Sequence, residues 1–249
     1  MCTLEKRGNI YILTLTGTDD HRLNPPLLDS LQSALRRLRS ETAGSGGLCA
    51  LITTAQGKYF SNGYDLDWAG SNEDRLLLMS TKLRSLVKDL ISLPMPTIAA
   101  VSGHASAGGF ILALCHDYVL MRKDRGYLYM SELDIGLVLP AWFGTLLRCK
   151  IGSPAVWRDV VMTAEKMTAE VAVQKGVIDS AHGSAAETLR AAVALGEQLV
   201  GRRWEGHVYG ENRKVVLAGV LDALGVGDSV EHVNATSRLL KPKNVASRL

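Results

Sequence analysis

Residues 97 to 117, TIAAVSGHASAGGFILALCHD, join an apolar strand pattern to an apolar helix pattern through a run of small side chains, Ala105-Ser106-Ala107-Gly108-Gly109. Such a junction leaves the main chain bare, so another backbone or a ligand can approach it closely. The first N–H groups of the following helix have no acceptor within the helix, and they point outward together with the positive end of its dipole. That suits an anion. The same residues suit a tight turn and close packing of a helix on a sheet, and the segment by itself leaves both readings open.

The flanking pattern belongs to an α/β chain. Residues 9 to 17, NIYILTLTG, alternate as a strand; Asn24-Pro25-Pro26 then offers a cap and two prolines at a helix start, with Leu27, Leu28, Leu31, Leu35 and Leu38 at helical spacing. LCALITTA (48 to 55) predicts a buried strand, KYFSNGYDLDWAG a loop, and residues 73 to 93 a helix stopped by Pro94 and Pro96. YVLMRKD and YLYMSELDIG add two extended pieces, and beyond Pro140 helices are expected at 141–149, 153–163, 168–175, 184–201, 207–224 and 228–239. The α/β portion, to about residue 150, passes into this helical portion without a Pro/Ser-rich linker, and the sequence shows no internal repeat.

Composition excludes several function classes. A chain of 249 residues with 47% hydrophobic and 21% charged residues can bury a substantial core, and a net charge of +3 without a basic stripe gives no footprint for nucleic acid. Cys2, Cys49, Cys115 and Cys149 have no metal-type or CxxC spacing, so a reduced intracellular protein is expected. No apolar run reaches transmembrane length, and the start MCTLEKRGN has no secretory hydrophobic core. At the other end, the tail KPKNVASRL reads as solvated, and Ser247-Arg248-Leu249 differs by one conservative change from the Ser-Lys-Leu peroxisomal address.

Three segments together, FSNGYDL (60 to 66), VSGHASAGGFILALCHD (101 to 117) and SELDIGLVLPAWF (131 to 143), in this order and at these separations, carry a resemblance. The chain is similar over nearly its whole length to the crotonase (enoyl-CoA hydratase/isomerase) superfamily, and within it to plant-type peroxisomal Δ3,Δ2-enoyl-CoA isomerases. The resemblance implies an α/β spiral of β-β-α turns with a C-terminal helical region: a core at 1–195 holding the CoA and acyl site, and trimerisation helices plus targeting tail at 196–249. It further implies an acyl-CoA substrate, no cofactor beyond the CoA carried by that substrate, a homotrimer or dimer of trimers, and a peroxisomal import receptor as partner. Neither nucleic acid nor a membrane span is expected.

Carried onto this sequence, the resemblance assigns the two main-chain donors to the thioester oxygen to Tyr64 and Gly108, and the catalytic base to Glu132, since Ser131-Glu132-Leu133-Asp134-Ile135-Gly136 matches the frame of the isomerases' Asn-Glu-x-x-x-Gly segment. Read from periodicity alone, Glu132 would be a surface glutamate on an alternating strand, with Asp134 beside it. Arg22, Asn62, Gly63, Asp65 and Gly109 are the implied CoA-thioester contacts, although Asn62 and Asp65 also read as residues that order a loop and Arg22 as a solvated arginine before a helix. His104 and His116 read as structural histidines, and Trp68, Trp142 and Phe143 as residues bordering or underlying the acyl pocket. At Ile111 the hydratases carry a second glutamate; an alkyl side chain cannot handle a proton, which favours isomerisation. Residues 65 to 75, polar and glycine-containing, are the expected mobile part beside the site.

Overall fold

The computed structural model describes residues 1–226 except 45 and 47, so the helix expected at 228–239 and the terminal Ser247-Arg248-Leu249 lie outside the described residues. The chain opens on an antiparallel hairpin, β1 (Cys2–Arg7) and β2 (Ile10–Leu15), and continues into α1 (Pro25–Thr42). Asn24 caps α1 as its sequence requires, its Oδ1 accepting the Leu27 N–H at 3.1 Å.

From there the chain winds as a spiral, each turn giving one strand to a large sheet and one to a small sheet. The pairs are β3 (Ala50–Ala55) with β4 (Tyr59–Ser61), β5 (Thr97–Val101) with β6 (His104–Ser106), and β7 (Tyr118–Arg122) with β8 (Leu128–Tyr129). Helices α2 (Leu66–Ala69) and α3 (Glu73–Ile91) close the first turn, and α4 (Gly108–Leu114) closes the second. The third is followed by α5 (Glu132–Ile135), α6 (Ala141–Lys150), α7 (Pro154–Met162) and α8 (Ala169–Gln174), then β9 (Ser180–His182), α9 (Ala185–Gly201), α10 (Gly206–Val216) and α11 (Ala218–Gly225). The large sheet has the order β1-β2-β3-β5-β7-β9 and the small one β4-β6-β8; every pair except β1 with β2 is parallel. This is the β-β-α spiral with a helical C-terminal region.

Parallel strands buried on both faces read as continuous apolar runs, which is why LCALITTA and TIAAVSG stand out in the sequence. One face of the large sheet, carrying Ile10, Ile12, Ile52, Ile98 and Leu120, packs with Ala192 and Leu199 of α9. The other face, carrying Leu13, Leu15, Leu51 and Val101, packs with leucines of α1 and α3 and with Phe110 of α4.

Four details depart from the sequence expectations. Strands β1, β4 and β9 are unannounced: the first has an exposed edge with little apolar patterning, and the others are three residues long. YLYMSELDIG is extended only at Leu128–Tyr129, after which α5 makes a single helical turn closed by Gly136 in the left-handed region (φ 71). Within KYFSNGYDLDWAG, expected to be a loop, Leu66–Ala69 form α2 with Asp65 as its N-cap. The helix expected at 207–224 is broken at Leu217, whose backbone (φ −104, ψ 21) leaves the helical region.

Helix α10 is tied to the core by a buried arginine. Arg213, 4% exposed at its side chain, pairs with Asp117 and donates to the carbonyls of Ile91, Leu93 and Met95. Burial opposes the Asp117 charge, but Arg213 outweighs it and holds this carboxyl below its ordinary range.

Candidate active site

The three residues singled out as catalytic each follow the carboxyl end of a strand of the small sheet. Strands β4, β6 and β8 run parallel with Ser61 opposite Ala105, and Ser106 opposite Tyr129. Tyr64 follows β4, Gly108 follows β6 and Glu132 follows β8. A crevice beyond the carboxyl ends of neighbouring parallel strands is where α/β folds place ligands.

The Tyr64 loop and the start of α4 touch. Gly63 has φ 72, a conformation side chains disfavour, and a Cβ on it would stand 3.0 Å from the Ser106 carbonyl oxygen and 3.2 Å from the Gly108 nitrogen. A side chain there would therefore push the loop off α4. Ala107, the residue before α4, also has positive φ (50) while its N–H donates to the Tyr129 carbonyl at 2.8 Å. Strain of this kind persists only where the surroundings fix it, here by the β8 contact on one side and Gly63 on the other. Gly109 has a different role: a Cβ on it would fall 2.1 Å from the Ser61 oxygen, so its missing side chain seats α4 on the end of β4.

The loop is pinned from the α1 side as well. The Leu23 N–H donates to the Gly63 carbonyl at 2.8 Å, and the Asn62 N–H to that of Asp20 at 2.9 Å. Asp65 accepts from the Trp68 N–H with one oxygen and from Asn24 Nδ2 with the other, both at 3.0 Å, which is the loop-ordering role expected of it. Arg22 pairs with Asp20 at 3.0 Å and reaches the Tyr64 carbonyl at 3.5 Å. Beneath the loop, the Tyr64 ring stacks on Phe143 at 6.4 Å, and Phe143 meets Trp142 edge-on at 4.4 Å. Trp142 and Phe143, each 1% exposed, thus lie under the site. Trp68 carries the Arg75 guanidinium 5.2 Å from its ring centre.

Glu132 is not the surface residue that strand alternation would make it. As the first residue of α5 it is 8% exposed, and its Oε2 has no hydrogen-bond partner among the described residues. It borders a cavity of about 200 Å³ whose other walls are Met130, Leu133, Leu137, Leu139, Val161 and Met162. Burial among these apolar groups raises its carboxyl to about 7, with its own backbone N–H working the other way. A carboxyl held there can both take and give a proton near neutrality. Asp134 stays exposed, its carboxylate accepting the Tyr129 hydroxyl.

Ile111, fully buried in α4, brings no second acid to the site. His104 and His116 each sit among structural partners. His116 is buried, with Nε2 2.7 Å from Thr53 Oγ1 and Nδ1 3.0 Å from the Leu112 carbonyl, and burial lowers it to about 4. His104 sits between the rings of Tyr59 and Tyr127. Sequence reasoning missed Asn24 as the link from α1 to Asp65, Tyr129 as the partner of Asp134, and Val161 and Met162 as cavity walls. Only Asn24 announced itself, as a cap. A larger cavity of about 610 Å³, lined by Asp117, Lys150, Trp204, Tyr209 and Arg213 among others, contains none of the expected site residues. Among the described residues the cysteines are free thiols, no group of three or more His, Cys, Asp or Glu is placed to hold a metal, and no helix is long and apolar enough to cross a membrane.

Known proteins share both the sequence and this architecture. Residues 5–205 match the family Enoyl-CoA hydratase/isomerase. The chain is 62% identical over 221 residues to "Enoyl-CoA delta isomerase 1, peroxisomal" of Arabidopsis thaliana, covering 89% of this chain and 91% of that one. It is 48% identical over 234 residues to isomerase 2 of the same plant, covering 91% and 96%. A solved probable enoyl-CoA hydratase of Mycobacterium tuberculosis H37Rv superposes with a TM-score of 0.81 at 22% identity, covering 91% of this chain and 92% of that one, a likeness of fold. With the spiral and these matches in agreement, the chain belongs to the enoyl-CoA hydratase/isomerase family.

Proposed function

We propose that this protein is a Δ3,Δ2-enoyl-CoA isomerase, converting 3-enoyl-CoA to trans-2-enoyl-CoA in the β-oxidation of unsaturated fatty acids. The observation that carries the reading is Glu132, a carboxyl in an apolar cavity; the resemblance adds that the hydratases' second glutamate is replaced here by Ile111. Its likeness in sequence to the two plant isomerases supports the same reading.

In this mechanism the amides of Tyr64 and Gly108 donate to the thioester oxygen. Glu132 takes a proton from C2, the electron pair spreads over a planar dienolate, and the same carboxyl returns the proton to C4, moving the double bond from C3–C4 to C2–C3. Charge on the oxygen grows along this path, so fixed amides lower the barrier more than they stabilise the ground state. Arg22, Asn62, Gly63, Asp65 and Gly109 belong to the surface along which the CoA ester lies. No metal or redox group has a step to perform, and the CoA arrives with the substrate. Purified protein incubated with 3-enoyl-CoA should accumulate conjugated 2-enoyl-CoA; hydration of 2-enoyl-CoA without isomerisation would favour the hydratase alternative, and CoA-ester binding without turnover a non-catalytic assembly partner.

Gly108→Pro removes one amide donor, and turnover is expected to fall about 10²–10³-fold. A variant with parent-like circular dichroism and melting but full turnover would eliminate this donor.

The same reading places residues 1–195 in the core and 196–249 in an assembly region, with α9 continuous across the division, and expects a homotrimer or dimer of trimers. Val208, Val215 and Val216, exposed on α10, support an assembly role. Peroxisomal location rests on Ser247-Arg248-Leu249 and on the printed name of the Arabidopsis relative. Deleting these three residues should leave activity intact and shift a tagged protein to the cytosol. Import of the truncated chain in cells lacking a full-length copy would refute it.

A further inference from the structure

We propose that Tyr129 and Asp134 are positioning residues for Glu132, their side-chain hydrogen bond fastening α5 to the end of β8 and so to the neighbouring β6, which leads into Gly108. The inference rests on Glu132 being the proton carrier. The problem it answers is that α5 is too short to hold itself. It has four residues and no side-chain N-cap, and Leu133 and Ile135 are 53% and 47% exposed. Backbone closure includes Ile135 N–H to the Ser131 carbonyl at 3.1 Å, Gly136 N–H to the carbonyls of Glu132 and Leu133, and Leu137 N–H to the Glu132 carbonyl at 2.8 Å. A single turn of this kind is marginal without outside contacts.

Tyr129 supplies a contact from firm ground. It is paired in β8 opposite Ser106, its carbonyl accepts the Ala107 N–H at 2.8 Å, and the Lys166 ammonium lies 4.8 Å from its ring centre. Its hydroxyl donates to Asp134 Oδ2, two residues beyond Glu132. One residue thus holds the turn before Gly108 with its main chain and the helix of Glu132 with its side chain, fixing the proton carrier against the proposed oxyanion amide. Around α5 the titratable and charged groups are Asp134 on the helix itself, Tyr129 on β8 and Lys166 before α8; the walls of the cavity at Glu132 are otherwise apolar. The phenol, raised to about 12 by burial and then by the Asp134 carboxylate, keeps its proton through the neutral range.

The test combines Tyr129→Phe, Asp134→Ala and Asp134→Asn with direct titration of the Glu132 carboxyl by carbon-detected nuclear magnetic resonance. Freed α5 lets water reach Glu132, so in Tyr129→Phe and Asp134→Ala its titration should move down by about one unit or more, and the acid limb of kcat should move with it. Misplacement of the carboxyl should lower kcat about 10–100-fold with KM nearly unchanged. Asp134→Asn, whose amide oxygen still accepts the phenol, should recover most of the loss seen in Asp134→Ala, and the double variant Tyr129→Phe/Asp134→Ala should be no worse than either single. Glu132 titrating at the parent position in both Tyr129→Phe and Asp134→Ala would overturn the proposal. Failure of the underlying reading shows separately, as parent-rate isomerisation by Glu132→Gln, whatever the titrations give.

Discussion

Glu132→Gln is expected to lower isomerisation of 3-enoyl-CoA by about 10²–10⁴-fold, the usual span for a lost acid or base, while CoA-ester binding persists. Glutamine keeps the size of the side chain and loses only the group that carries the proton. The same substitution should stabilise the fold above neutrality. Because burial raises this carboxyl from 4.5 to about 7, the folded chain favours the protonated form. Its contribution to stability is therefore intact below about pH 4.5 and lost as pH rises through about 7, by an amount on the order of 3 kcal/mol. Glutamine has no charge to bury, so denaturant unfolding at pH 8 should show the variant more stable than the parent, and the gap should close toward pH 4. Equal stabilities across that window would mean that the parent carboxyl is not held in an apolar site.

Gly109→Ala carries the second large effect. Its Cβ would fall 2.1 Å from the Ser61 oxygen and 2.7 Å from the Ser61 carbonyl carbon, main-chain atoms that cannot swing aside. Either α4 lifts from β4 or the strand end moves, and both shift the Gly63–Tyr64 loop relative to Gly108. We expect a loss of about 3 kcal/mol in denaturant unfolding, at the upper end for overpacking, together with a fall in activity. Gly144→Ala is the control: a Cβ there meets the Leu139 side chain at 3.7 Å and the end of the Arg148 side chain at 4.0 Å, both ordinary contacts, and the helix gains propensity. If the two variants unfold at the same denaturant concentration, α4 is not seated as described.

The contrast between these glycines shows what the sequence could convey. The small-residue run at 105–109 reads as a packing junction or as an anion pocket, and in the structure its two glycines meet different neighbours. Gly109 serves packing, whereas Gly108 places its nitrogen beside Gly63. Buried strands and long amphipathic helices were legible because both faces of β3 and β5, and one face of α1 and α3, demand apolar side chains. The spiral repeat was not, because its turns share geometry and not residues, and half of its members are strands of two or three residues such as β4 and β8. Glu132 illustrates the same limit. Alternation in YLYMSELDIG points to a strand, but the left-handed backbone at Gly136 and the bond from Leu137 N–H to the Glu132 carbonyl make a helical turn that carries the carboxyl inward. Only the family resemblance identified it, since the cavity walls Val161 and Met162 come from a helix almost thirty residues on, beyond the reach of local pattern.

The central claim is that one carboxyl carries one proton from C2 to C4. A single turnover of 3-enoyl-CoA deuterated at C2, with enzyme in excess, tests it most directly. The account predicts deuterium at C4 of the 2-enoyl-CoA product, carried there by Glu132 and absent from any residual product of Glu132→Gln. Product formed at the normal rate with only solvent hydrogen at C4 would contradict it.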